Sequence, residues 1–373
     1  QTGQILENIE EKDFQFKEFY KNINRKDLFL FDIERLTYEI QESLDNAQFI
    51  YQDDTLTPIP INEYSTLNES LLKASGLYWE DGSGLGKLIR PKLVHEATKS
   101  FKGNIDASYK VGASIQMIHN FSLVHDDIQD KSTTRRGRNT LWKDVGTAQA
   151  INIGDELFAL SYEPLLRLMQ SGIDYMNMYD LIKVIQTAII KLTHGQYLDI
   201  KYENEDNIDL QSYIRMIEDK TGALFSAAME SSGILSNKND SLESLAQYGL
   251  KLGMLFQAVD DYINIWSQES IDKEKISEDI YNKKKSLPFI LTTNINEQIR
   301  NDIIELYKKE INENVIEDIL DIFLENNIKE ACQTFILETN TKANNVLVYD
   351  EYLEEDEVSE ILNFKDTILE RIK

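Results

Sequence analysis

The chain has 373 residues, 42% of them hydrophobic and 10% aromatic, enough to bury a sizeable core without a disulfide or metal staple. Its formal charge, 39 − 65 = −26, argues against a general nucleic-acid or anionic-membrane binder, though a few clustered cations still suffice for a local phosphate pocket. A lone cysteine, Cys332, an acidic N-terminus unlike a targeting peptide, and no apolar run as long as a membrane span lead to the expectation of a soluble cytoplasmic protein without a transmembrane segment.

Only five prolines occur, which favours helices, because proline removes a backbone donor and clashes inside a helix. Apolar residues recur at helical spacing and few segments alternate as strands do, so the fold class is expected to be all-α. Residues 1–65 read as an acidic, aromatic-rich addition, in which Phe16, Phe19, Tyr20 and Ile23, and again Ile33, Leu36 and Ile40, fall at helical spacing. Thr57-Pro58-Ile59-Pro60 breaks any helix and marks its end, leaving a main domain over 66–373. Next come the turn Asp81-Gly82-Ser83-Gly84 and Gly86-Lys87-Leu88-Ile89-Arg90-Pro91, which leads into a helix. Backbone donors there, with Lys87 and Arg90, suit an anion. Polar loops are expected at 171–174, 203–209 and 236–241, the last offering Asp240 or Ser241 as N-cap of a long helix.

The sharpest signal is Leu123-Val124-His125-Asp126-Asp127-Ile128-Gln129-Asp130, which closes a helical run beginning near Tyr109. Asp126 and Asp130 are i,i+4 and share a face, where two carboxylates repel each other unless a cation lies between them. Mg²⁺ suits that role, since it takes a few carboxylates and fills its remaining positions with water and phosphate oxygens. The competing reading is a solvated acidic helix end. His119 lies two turns earlier on the same face, and Arg135-Arg136-Gly137-Arg138 follows at once. Arginine forks bind phosphate oxygens through paired hydrogen bonds.

A second acidic pair stands in Phe256-Gln257-Ala258-Val259-Asp260-Asp261-Tyr262-Ile263-Asn264, with Asn at the fifth position and Gln257 about one turn ahead of Asp260. Two such helices facing a cavity could hold metal ions between them. Lys220-Thr221 and the Lys275–Lys284 segment add cations, each of which taken alone reads as a solvated surface lysine.

Taken together, these residues resemble the trans-isoprenyl diphosphate synthase (polyprenyl synthetase) family from about Leu67 to about Leu291. The ordered elements are Gly86-Lys87-x-x-Arg90-Pro91, His119 with Asp126-Asp127-x-x-Asp130, Arg135-Arg136-Gly137, Gly154-Asp155, Gly195-Gln196-x-x-Asp199, Lys220-Thr221, Phe256-Gln257-x-x-Asp260-Asp261, and Asp279 with Lys284-x-Ser286-x-Pro288. The resemblance implies a single large helical bundle around a central cavity (the isoprenoid synthase fold), usually as a homodimer. It implies about three Mg²⁺ per active site, held against an allylic diphosphate by Asp126, Asp130 and Asp260. Arg135, Lys220, Thr221, Gln257, Lys275 and Lys284 would grip that diphosphate, with Arg135 and Lys220 also counted in the catalytic set. Lys87, Arg90, His119 and Arg136 would bind isopentenyl diphosphate.

Three departures stand out. Asn264 replaces the family's commoner Asp, a variant similar to that of eukaryotic geranylgeranyl diphosphate synthases; Asn139 stands where Pro usually follows the arginines; and the loop Ser267–Ile276 lacks the usual glycines. Product length is expected to be set along the helix that ends in Asp126. Phe121 is turned about 140° from Asp126 at about 100° per residue, whereas small Ser122 lies near the aspartate face. Ordinary core packing is the competing reading of Phe121. An aromatic at Phe121 with a small residue at Ser122 resembles enzymes that stop at geranylgeranyl diphosphate, with farnesyl diphosphate as the alternative product. The rival functions are a terpene synthase or other prenyltransferase on the same fold, and a non-catalytic partner subunit. The first has no use for an isopentenyl diphosphate pocket, and the second has no need of both aspartate pairs.

Overall fold

The computed structural model describes residues 31–47, 65–79, 83–266 and 278–370. Helices α1 (Ile33–Ala47), α2 (Ser65–Ser75), α3 (Ile89–Ser100) and α4 (Ile105–Gln129) come first, followed by the short strands β1 (Thr134–Arg135) and β2 (Arg138–Asn139). Next are α5 (Leu141–Val145), α6 (Thr147–Leu160), α7 (Glu163–Leu166), α8 (Tyr175–Glu203), α9 (Leu210–Ile217), a π turn (Glu218–Gly222) and α10 (Ala223–Leu235). The series ends with α11 (Leu242–Trp266), α12 (Glu278–Tyr281), α13 (Leu287–Thr293), α14 (Glu297–Lys308), α15 (Glu313–Glu325), α16 (Ile328–Val348) and α17 (Glu355–Glu370). The fold is all-α, as the sequence implies. No helix among the described residues is long and apolar enough to cross a membrane.

The chain divides into two compact units, Phe29–Gln186 with Ala228–Leu242, and Thr187–Ala227 with Glu243–Lys373. This division differs from the one expected at residue 65. Helix α1, placed by the sequence in an N-terminal addition, is part of the first unit's core, with Leu36 and Ile40 fully buried and Leu44 nearly so. Each such side chain contributes about 1.5–3 kcal/mol by leaving water. The expected helical stripe from Phe16 to Ile23 lies outside the described residues, as do the loop Ser267–Ile276 and its Lys275.

In the first unit, α4 is the central helix. The side chain of its N-cap Asn104 accepts from the Ala107 amide, and every residue from Ala107 to Ile118 is buried. A helix enclosed all round is packed on several sides, and α1, α3, α6 and α7 all pack on α4. Three of its buried polar side chains find partners, while Ser114 Oγ has none among the described residues: Lys110 Nζ donates to Glu39 Oε1 (2.9 Å), Gln116 Nε2 to Asn120 Oδ1 (3.0 Å), and Asn120 Nδ2 to the Ser75 carbonyl (3.0 Å). Besides Asp106 in its first turn, the acidic groups of α4 are Asp126 and Asp127 in its last turns, and with the capping Asp130 they stand at one end of the core.

In the second unit, α13 packs on α9, α14 and α16, and α16 on α17. Helix α11 buries Leu245, Tyr248, Leu252, Leu255 and Val259. It meets the segment leading into α10 so closely that a Cβ on Gly253 would fall 2.6 Å from the Gly222 Cα.

The first unit also contains a buried charge network. Arg167 donates to Glu39 Oε2 (2.9 Å), the Glu39 carbonyl (3.0 Å), Ser43 Oγ (3.0 Å) and Glu163 Oε2 (2.8 Å), and also pairs with Glu42. Removing one partner leaves Glu39 buried with less compensation. Arg167→Ala is therefore expected to cost about 3–5 kcal/mol, read as a lower urea midpoint by tryptophan fluorescence.

Candidate active site

Three aspartates at the C-terminal end of α4 sit where the helix dipole is negative, so each needs compensation. Asp130 caps the helix, its N–H donating to the Asp126 carbonyl (2.8 Å). Asp127 turns inward and is 5% exposed. Arg135 grips it from β1, donating through Nε to Oδ1 and Oδ2 (2.9 and 3.1 Å) and through Nη2 to Oδ1 (2.7 Å). Burial raises the Asp127 carboxyl above its usual range, while Arg135 pulls it down. The neighbouring Asp126 is half-buried, with Oδ2 3.6 Å from Arg135 Nη2. The pair is split: Asp127 is buried against the arginine fork, and Asp126 is less buried beside the same arginine.

Arg135 sits in a hairpin that the sequence reading missed. Thr134 pairs with Asn139 and Arg135 with Arg138, around a turn of Arg136 (φ 52°) and Gly137 (φ 73°). Two consecutive positive φ values are what a two-residue hairpin turn of the right twist demands. Gly137 within the arginine run was the available signal. The hairpin is tied to the Gly-rich loop, since Arg136 Nη1 donates to the Gly84 carbonyl (2.7 Å) and Arg138 Nη2 to Ser83 Oγ (2.6 Å). Arg138 also lies over the Trp79 ring, 4.2 Å from its centroid. Gly86 has φ +70°, and a Cβ there would fall 2.4 Å from Arg136 Nη2, so the arginine lies directly against this loop.

That loop carries exposed Lys87, and Leu88 follows in the left-handed region (φ 52°) as the N-cap of α3. Such strain in a non-glycine residue persists only where the surroundings fix it. Arg90, in the first turn of α3, is lowered to about 10 by burial. His119 is half-buried, and its imidazole is held well below its usual pKa, first by burial and then by the charges of Arg90, Arg136 and Arg135. Arg90, Arg136 and Arg135 thus lie close around His119, with Lys87 on the loop that precedes α3. Beside it lies a cavity of about 470 Å³ lined by Trp79, Leu123, Asp127, Arg135, Arg136 and Arg138 among others. Phe121 is buried, with its ring centroid 5.0 Å from that of Phe158 and 5.9 Å from that of His125. Ser122 Oγ turns back to the His119 carbonyl (2.7 Å).

The second unit gathers the other candidates. A cavity of about 120 Å³ is lined by Asp199, Lys220, Thr221, Gln257, Asp260 and Lys284 among others. Lys220 and Thr221 lie in the π turn, a single widened turn of a kind frequent at functional sites. Gly195 permits this placement: a Cβ there would fall 2.1 Å from the Lys220 backbone nitrogen. Lys220 forms an ion pair with Asp199, a residue the sequence reading quoted without giving it a role. Half-buried Asp260 faces the cavity, whereas Asp261 is 4% exposed and accepts from Tyr213 Oη (2.7 Å), Gln257 Nε2 (2.8 Å) and the Leu287 amide (2.8 Å). Burial, and then the charge of Asp279, raises the Asp261 carboxyl to about 7 against the pull of its donors. Thr221 Oγ1 donates to Gln257 Oε1 (2.8 Å), and Asn264 Nδ2 to Asp279 Oδ2 (3.2 Å). Lys284 is exposed, and its backbone N–H donates to the Asp279 carbonyl (2.8 Å).

Among the described residues, no three His, Cys, Asp or Glu side chains converge so as to hold a metal ion by themselves. Asp126 and Asp130 in the first unit, and Asp260 in the second, each offer hard oxygen donors, of the kind that suits a cation such as Mg²⁺, which completes its octahedron with water and phosphate oxygens.

The helical scaffold thus carries two acidic pairs, each with basic side chains nearby. The family profile described as Polyprenyl synthetase matches residues 78–323, and the chain belongs to that family. It is 36% identical over 208 residues to the geranylgeranyl diphosphate synthase of Saccharolobus solfataricus, covering 56% of this chain and 62% of that one. It is 30% identical over 309 residues to the short chain isoprenyl diphosphate synthase of Methanothermobacter thermautotrophicus, covering 81% and 91%. Among solved structures, the polyprenyl synthetase of Streptomyces coelicolor A3(2) superposes with a TM-score of 0.75 at 26% identity, covering 90% of this chain and 98% of that one.

The close approach at Gly195 yields a prediction. Gly195→Ala is expected to displace the π turn, destabilising the protein by about 1–3 kcal/mol in urea unfolding. It is also expected to weaken the binding of inorganic diphosphate, measured by calorimetry with Mg²⁺ present.

Proposed function

We propose that the protein is a short-chain all-trans prenyl diphosphate synthase that condenses isopentenyl diphosphate with allylic diphosphates, with geranylgeranyl diphosphate as main product and farnesyl diphosphate as the alternative. The observation that carries this reading is the cluster of Arg90, Arg136 and neutral His119 beside the loop of Lys87. It is an anion site additional to the one around Lys220 and Thr221. An enzyme that only ionises an allylic diphosphate needs one such site; an enzyme that elongates needs two. The same reading includes a Mg²⁺ requirement, a homodimer and a cytoplasmic location, all supported by the family resemblance.

Asp126, Asp130 and Asp260 would hold Mg²⁺, which when bound supplies Lewis-acid stabilisation of the departing diphosphate. Arg135 faces the same developing charge and costs little reorganisation, because Asp127 already fixes its fork. Lys220 is held ready by Asp199. Lys87, Arg90, His119 and Arg136 orient isopentenyl diphosphate, whose double bond attacks the allylic carbon. A proton is then lost, with the released diphosphate as acceptor.

The direct test supplies purified protein with Mg²⁺, isopentenyl diphosphate and each allylic primer, and sizes the products by chromatography. A wild type that ionises or cyclises the primer without consuming isopentenyl diphosphate would overturn the proposal. Asp126→Ala or Asp130→Ala is expected to lower turnover by more than about a hundredfold, beyond the range of residues that merely support a metal ligand. Full activity in excess EDTA contradicts the metal assignment.

Lys87→Ala and Arg90→Ala are expected to raise KM for isopentenyl diphosphate about ten- to a hundredfold, each losing a charge-assisted contact of about 1.5–3 kcal/mol. Product length has its own check. Phe121→Ala should lengthen the product and Ser122→Phe shorten it, and an unchanged distribution in both variants would place the limit on another helix.

A further inference from the structure

Asp261 joins four segments of the second unit. Its carboxylate accepts from Tyr213 on α9, from Gln257 one turn earlier on α11, and from the Leu287 amide that begins α13, while Gln257 in turn accepts from Thr221 in the π turn. Tyr213 is 1% exposed and Asp261 4%, so both are largely shut off from bulk solvent, although both border the small cavity. The arrangement has a fixed polarity. Asp261 Oδ1 takes the Gln257 amide nitrogen, which leaves the Gln257 oxygen toward Thr221 and makes the threonine hydroxyl the donor. Oδ2 takes both Tyr213 and Leu287, and Leu287 stands directly after Ser286 and close to Lys284.

We propose that Asp261, with Tyr213 behind it, is a positioning residue of the diphosphate pocket: it sets the amide of Gln257, through it the hydroxyl of Thr221, and the start of the helix that follows Lys284. The pair acts through these residues and need not touch the substrate. This deepens the function proposed above and rests on it for the identity of the substrate, but the network itself is read from the geometry alone. An amide at position 261 cannot reproduce it. An asparagine that keeps its oxygen toward Tyr213 and Leu287 turns an N–H toward the Gln257 N–H, and the opposite orientation turns an N–H toward two other donors.

The test measures binding of inorganic diphosphate to the full chain by calorimetry with Mg²⁺, alongside steady-state kinetics and urea unfolding. Asp261→Asn is expected to weaken diphosphate binding about tenfold and to raise KM for the allylic diphosphate by a similar factor, leaving KM for isopentenyl diphosphate unchanged. A merely structural role instead lowers the folded fraction, and with it the binding stoichiometry and kcat, at unchanged dissociation constant and KM; that result would overturn the proposal. Tyr213→Phe removes one donor at nearly constant volume and keeps the question answerable if Asp261→Asn does not fold. It is expected to weaken diphosphate binding about threefold, and wild-type affinity in this variant counts against the network. If the wild type binds diphosphate and the variants weaken it, but no isopentenyl diphosphate is consumed, the proposed reaction fails while the positioning role stands.

Discussion

A carboxylate taken out of water is costly unless donors meet it, and this constraint shapes both acidic pairs. Adjacent residues on a helix point about 100° apart, so an Asp-Asp pair cannot place both side chains in one environment. In the first unit Asp127 is buried and Asp126 half-buried; in the second, Asp261 is buried and Asp260 half-buried. The inward member is met by the Arg135 fork in one case and by Tyr213, Gln257 and the Leu287 amide in the other. The doubled aspartate thus divides its members between two environments: the inward residue fixes the groups around it, and the half-buried one is the carboxylate proposed above to hold Mg²⁺.

The same constraint explains how a chain of charge −26 can build the anion sites proposed above. The cations are placed locally and held by partners before any ligand arrives. Arg135 is held by Asp127, Lys220 by Asp199, and Arg136 by the Gly84 carbonyl. Each contact spends part of the cation's field but fixes its position, so less ordering remains to be done on binding. Around His119 the balance shifts the other way. Three arginines and burial keep the imidazole neutral, so it can offer one N–H as donor without adding another positive charge. Far from the site, Glu39 shows what unpaired burial would require: Lys110 and Arg167 both reach it within the core.

The parts of this molecule legible in the sequence are those set by local periodicity and by ordered motifs. The helix that carries Asp126, the helix of Asp260 and the all-α class follow from spacing, since i,i+4 neighbours share a face whatever surrounds them, and the loop after Glu203 follows from its polar run. Partners far apart in sequence are not legible in this way. Arg167 reaches Glu39 across 128 positions and Tyr213 reaches Asp261 across 48. The inward aspartates did leave a trace. Asp127 stands three after buried Val124, and Asp261 three after buried Ala258 and four before buried Ile265, so each falls on its helix's apolar stripe. The π turn left none, because Lys220-Thr221 reads as ordinary helix; the evidence for it lies in Gly195, whose missing Cβ makes room for a backbone found only in three dimensions. The helical stripe of α1 was legible in Ile33, Leu36 and Ile40, whereas the membership of Leu36 and Ile40 in the first unit's core depends on partners far along the chain.

Asn264 carries the argument one step further. Its amide donates to Asp279, whose charge already raises the Asp261 carboxyl nearby. A carboxylate at position 264 would face Asp279 with like charge, and the pair would need a cation or a proton to coexist. The amide turns that repulsion into a hydrogen bond and requires neither. Asp279 is 6% exposed and its backbone carbonyl accepts the Lys284 amide, so the bond from Asn264 also steadies the segment that leads to Lys284. The departure from an acidic fifth position therefore has a physical consequence on this side of the site. The cluster of Asp261, Asn264 and Asp279 is held by hydrogen bonds of the protein itself, and Asp260 is left as the outward carboxylate of its pair.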